Sequence, residues 1–177
     1  MNRGNCDIKL QLILLLKGCK PGGLKSSESL EKLKAGVEVI PDLQASLLCD
    51  DVRQERNGKF ILIGIFDGLM LQQAPGVFAK ICLINRWCCG KGEFTQRSRV
   101  IAPDGHTVVC EGQPIPIKLN DEAHVGTTVE VFLNVKFTVA GSYWIEILLD
   151  KQLRMRYPLH VRVAPQPQPP PPSNHNS

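Results

Sequence analysis

The densest group of potentially reactive side chains is the run Asp50, Asp51 and Glu55, with Arg53 and Arg56 between them. Clustered carboxylate oxygens are the donors that Ca²⁺ or Mg²⁺ takes. The run has no calcium-loop spacing, so the alternative is a polar interstrand loop whose carboxylates accept local hydrogen bonds. Cys110 and His106 are a conceivable nucleophile and base. On an extended strand, residues four apart lie ~13 Å from each other, so that pair would need a special turn. The seven cysteines form no C-x-x-C pair, and Cys88 and Cys89 are adjacent and point to opposite faces of a strand. Small free thiols in a reducing compartment are the reading to expect of them, and no metal or cofactor is expected. No phosphate-binding glycine loop, G-x-S-x-G or H-E-x-x-H occurs. No catalytic residue is therefore assigned, and a non-enzyme is expected.

Recognition is the other chemistry on offer. Trp144 falls on the outer parity of its strand, with Phe132 expected beside it and Leu148 extending the face; an exposed apolar patch of this kind marks a partner surface or a face covered by another segment. Arg154, Arg156, His160 and Arg162 form a stripe suited to acidic partners, with Glu130 and Glu146 available to neutralise part of it. Asn85-Arg86-Trp87 is a further candidate patch, but Trp87 shares parity with Ile81 and Leu83 and is expected in the core. The candidate binding residues are thus Asp50, Asp51, Arg53, Glu55, Phe132, Trp144, Arg154 and Arg156. The net charge of +4 is spread along the chain in runs no longer than two, so nucleic acid is not the expected partner; an unidentified protein is.

These side chains are positioned by strands. Val129, Val131, Leu133, Val135, Phe137 and Val139 share one parity, with Phe132 the exception on the other. Leu153, Met155, Tyr157, Leu159, Val161 and Val163 share another inward face, and Pro158 on the outward one marks an edge or a bulge. Between them, Tyr143, Ile145, Ile147 and Leu149 alternate with Trp144, Glu146 and Leu148. A two-residue turn at Asp150-Lys151 would set Ile147 opposite Arg154. Parity instead requires either a three-residue loop through Gln152 or a bulge, with Ile147 facing Met155 and Glu146 facing Arg156. Phe60 to Phe66 is apolar on both faces, as in a central strand, and follows the tight-turn signal Asn57-Gly58. Leu43–Cys49, Val77–Cys88, Arg97–Ala102 and Thr107–Glu111 complete the set, the last two joined at Pro103-Asp104-Gly105. Seven to nine strands without a helical pattern predict an all-β fold: a two-sheet antiparallel, immunoglobulin-like sandwich over residues 43–163, with a closed barrel as the alternative.

The flanks differ. Residues 1–42 read as a poorly ordered or short helical extension, or as sequence upstream of the true start. Leu10 to Leu16 is too short to span a bilayer. A cytoplasmic protein without a transmembrane segment is expected, or an exported or lipid-anchored one if Leu10 to Cys19 is a signal. Residues 164–177 are a proline-rich tail that cannot bury a core.

Cys49-Asp50-Asp51-Val52-Arg53-Gln54-Glu55, followed by Asn57-Gly58-Lys59 and Gly64, resembles the opening of an uncharacterised family of small bacterial proteins. Pro103-Asp104-Gly105, Gly141-Ser142-Tyr143 and Asp150 are similar to its later marks, although Lys151 stands where Gly would follow. The resemblance covers about residues 43–163. It implies a β-sandwich, a bacterial source and no particular activity. The expected function is a non-catalytic interaction or structural module, with a carbohydrate- or metal-ion-binding sandwich as the alternative.

Overall fold

The computed structural model describes residues 38–165. Ten strands follow one another in this stretch: β1 (Asp42–Gln54), β2 (Phe60–Phe66), β3 (Gly68–Leu71), β4 (Gly76–Cys88), β5 (Gly92–Ile101), β6 (Val108–Glu111), β7 (Ile115–Leu119), β8 (Gly126–Phe137), β9 (Gly141–Leu149) and β10 (Gln152–Val163). No helix occurs among the described residues, and so none there is long and apolar enough to cross a membrane. The expectations for residues 1–37 and for the proline tail beyond residue 165 lie outside the described residues.

The first sheet has the order β2-β1-β4-β8 and is antiparallel throughout. The second has the order β3-β10-β9-β5-β6, with β7 also pairing β5. The expectation of a wholly antiparallel sandwich needs correction, because β3 runs parallel to β10. The reason lies at Asp67, the single residue between β2 and β3: the chain passes there from one sheet to the other without reversing. Gly112-Gln113-Pro114 likewise divides one edge of the second sheet into β6 and β7, where Pro114 has no N–H to give a ladder.

One core lies between the sheets. Trp87, Ile81 and Leu83 of β4 meet Tyr143, Ile145, Ile147 and Leu149 of β9, with Phe137, Leu119 and Leu159 closing the ends. Burial of this aliphatic and aromatic surface is the main stabilising term, roughly 1.5–3 kcal/mol for each large side chain. The Tyr143 ring packs edge-on against Phe137 at 4.9 Å, and its hydroxyl donates to the Val139 carbonyl at 3.0 Å. That bond fixes the crossing from β8 to β9. A polar group is buried inside the same core: Trp87 Nε1 donates to Gln96 Oε1 at 2.6 Å, Thr128 Oγ1 donates to the same oxygen at 2.8 Å, and Gln96 Nε2 donates to Glu130 Oε1 at 3.2 Å.

Three local expectations change. First, β8 does not keep one apolar parity. Glu130 and Phe132 point into the core, Val131 and Leu133 point out, and Val135 and Phe137 point in again. Asn134, with φ 53°, turns the strand over between the two halves. Asparagine tolerates this left-handed conformation better than a branched residue does. Second, β2 is an edge strand although its composition is that of a central one. Third, Asp50 to Gln54 belong to β1, and only Glu55 to Lys59 form the turn.

The β9–β10 connection resolves the parity conflict by a bulge. Asp150 and Lys151 have φ of 47° and 69°, as in a two-residue turn of the mirror-image type, and Leu149 faces Gln152. The register then shifts between Leu153 and Met155, which restores Ile147 opposite Met155 and Glu146 opposite Arg156.

Candidate interaction face

The outer face of the second sheet gathers Trp144 and Arg156 in one place. Cross-strand pairing sets a charged row across four strands: Arg156 of β10, Glu146 of β9, Arg99 of β5 and Glu111 of β6. Glu146 is only 5% exposed and sits between two guanidiniums, Arg99 Nε at 2.7 Å and one Arg156 terminal nitrogen at 3.5 Å. Arg97 pairs Glu111 at 2.9 Å one step away. The next row holds Pro158, Trp144, Ile101 and Val108. Trp144 is half-buried, and the Arg156 guanidinium lies over its ring, 4.7 Å from the centroid. This stack holds the indole in one orientation, at a contribution of about 0.5–1 kcal/mol for an exposed cation–π contact.

Beside this row is a depression of about 720 Å³ lined by Thr95, Arg97, Arg99, Glu111, Leu148, Asp150 and Lys151. Its wall is pinned by Asp150, whose Oδ1 accepts the Thr95 N–H at 2.8 Å while its own N–H donates to the Thr95 carbonyl at 2.9 Å. Arg97, Arg99 and Glu111 were not among the residues singled out from the sequence. The alternation of Arg97 and Arg99 with Gln96 and Ser98 was visible there, but which strand would lie beside β5 was not.

The other predicted residues are placed elsewhere. Phe132 is 8% exposed and packs in the core on the first sheet, so it does not lie beside Trp144. The rotation of β8 at Asn134 is what carries it inward. Asp50, Asp51 and Arg53 lie on β1 of the first sheet, with Glu55 in the turn after it. Their carboxylates do not converge. Asp51 Oδ1 accepts from Lys80 Nζ at 2.6 Å and Asp51 Oδ2 from Arg53 Nε at 3.5 Å, and these partners hold its carboxyl below the ordinary carboxylate range. Among the described residues no three His, Cys, Asp or Glu side chains are grouped to hold a metal ion. Arg154 lies at the bulge and donates to Gln152 Oε1 at 3.1 Å.

The cysteines are free thiols among the described residues. Burial pushes the Cys110 thiol up to about 11, which disfavours the thiolate that a nucleophile needs. Cys49 and Cys82 face each other across β1 and β4, and burial raises both.

A sequence model of one family matches residues 44–162 and is described as a family of unknown function, DUF6941. The chain belongs to the DUF6941 family. The match spans all ten strands of the DUF6941 domain except the first residues of β1 and the last of β10. A search of the curated proteins finds no match. Among solved structures, the chain is similar to the Pseudomonas fluorescens alkylpurine DNA glycosylase AlkC bound to DNA containing an abasic site analog, at 8% identity and a TM-score of 0.44. That likeness covers 69% of this chain and only 30% of the glycosylase chain.

Proposed function

We propose that this DUF6941 protein is a non-catalytic, immunoglobulin-like module that binds another protein through the outer face around Trp144 and Arg156. The observation that carries the reading is the Trp144–Arg156 stack beside the paired charges Arg99, Glu146, Arg97 and Glu111. Tryptophan and arginine are the residues that most often anchor interfaces, and an indole already oriented loses little freedom on binding. The immunoglobulin-like part of the reading is supported by buried Trp87 and by the Tyr143 hydroxyl bonded back to Val139. The bacterial source and the cytoplasmic location expected from the sequence belong to the same proposal.

The test is parallel capture from lysate of the source organism with tagged wild-type chain and a Trp144→Ala variant. The reading predicts a protein enriched by the wild type and reduced at least tenfold in the variant. Equal enrichment in both would refute it. The accessible part of the half-buried indole also favours a second reading, a sugar ring stacked on Trp144. In that case glycans would quench the tryptophan fluorescence saturably in the wild type and not in the variant.

A further inference from the structure

β2 has the composition of a central strand and the position of an edge strand. Phe60-Ile61-Leu62-Ile63-Gly64-Ile65-Phe66 carries no charge and no proline, and among the described residues its one neighbour is β1. Edge strands are normally blunted by lysine, proline or cover, because a row of unpaired N–H and C=O groups invites another strand. Here the side chains Ile61, Ile63 and Ile65 are 45%, 40% and 59% exposed. The charges stand at the two ends instead: Lys59 just before the strand and Asp67 just after it. Both are exposed, and neither makes an ion pair among the described residues.

We propose that β2 pairs antiparallel with β2 of a second copy of this chain about a two-fold axis at Ile63, so that Lys59 of each copy faces Asp67 of the other. In this register Phe60 faces Phe66, Ile61 faces Ile65, Leu62 faces Gly64, and Ile63 faces itself. The second copy is the occupant because the segment is complementary to its own reverse, in charge and in apolar pairing. Moving the axis by one residue to Leu62 would set Lys59 against Ile65 and Asp67 against the uncharged Asn57. The Lys59 carbonyl turns inward to accept from the Glu55 N–H at 2.8 Å, and alternation then turns the polar groups of Phe60 and Leu62 to the free edge, up to Gly64, whose φ of 65° interrupts the alternation. Such a contact is isologous and closes as a dimer. It joins two first sheets into one eight-stranded sheet and leaves the Trp144 face, on the second sheet, free.

The test is the mass of the full chain by size-exclusion chromatography with light scattering over a dilution series. The wild type is expected to be a dimer that dissociates on dilution. Lys59→Asp and Asp67→Lys each place like charges together twice and are expected to weaken the dimer about tenfold or more. The double charge swap restores it to near the wild-type strength. Ile63→Lys, on an exposed side chain, abolishes it. Unchanged thermal melts would show that the variants fold. A wild type that is monomeric throughout, or a dimer indifferent to both single charge changes, would overturn the proposal.

Discussion

At Gly64 the backbone of β2 has φ +65°, and a Cβ placed there would run into the Asp50 carboxylate. The carboxylate can swing aside, but the left-handed backbone remains, and an L side chain in it costs about 1–2 kcal/mol. Gly64→Ala is therefore expected to lower the melting temperature by several degrees; an unchanged melt would show that the strand relaxes to an ordinary conformation. Glu130 gives a pH-dependent counterpart. Burial raises its pKa in the folded protein, and its Oε2 has no protein partner. A raised carboxyl pKa contributes stability below the unfolded value and loses it as pH rises through the folded value. Glu130→Gln removes that loss, so its stabilising effect should be small at acid pH and grow toward neutrality. Paired thermal melts at several pH values check this, and an effect that shrinks with rising pH would be the wrong sign. The opposite case is Asp104, brought down to about 2 by Thr107 and the N–H groups of His106 and Thr107. Its contribution is present above the usual aspartate range and fades as pH falls toward 2. Glu130 itself was read from the sequence as an outward residue, because nothing in a linear pattern announces that Asn134 will turn β8 over.

At the scale of elements, the strands were legible and their neighbours less so. Period-two alternation located β9 and β10 and their inward faces, and parity alone required either a longer loop or a bulge between them. The structure uses the bulge, together with a tight two-residue turn that parity alone argues against because it would set Ile147 opposite Arg154. Lys151 holds φ 69°, so Lys151→Gly should relieve the strain and raise stability by about 0.5–1 kcal/mol, read in a denaturant melt. A loss of stability would mean that the lysine makes a contact worth more than the strain. What alternation cannot supply is lateral order. It missed that β2 lies at an edge, that β3 runs parallel to β10, and that Arg99 and Glu111 continue the row begun by Arg156 and Glu146. Those facts depend on pairings between residues far apart in sequence. The binding residues divide the same way: Trp144 and Arg156 were legible as outward residues on adjacent strands, whereas the placement of Phe132 required the turn at Asn134.

At the scale of the whole molecule, the two sheets carry different surfaces. The first ends in an uncharged edge with a charge at each end, fitted to a second copy. The second shows a row of ion pairs beside one oriented indole. If both are used, the molecule is a dimer that presents two Trp144 faces, and avidity would strengthen attachment to a multivalent partner. The most direct measurement of the central claim uses a photo-crosslinking residue at Leu148, on the outer face of the same strand as Trp144 and in the wall of the depression, irradiated in living cells of the source organism. One discrete higher-mass adduct is predicted, absent when Arg156→Ala is combined with the same crosslinker. No adduct at Leu148, or the same adduct from a crosslinker at Val131 on the first sheet, would contradict the claim that this face is the one that binds.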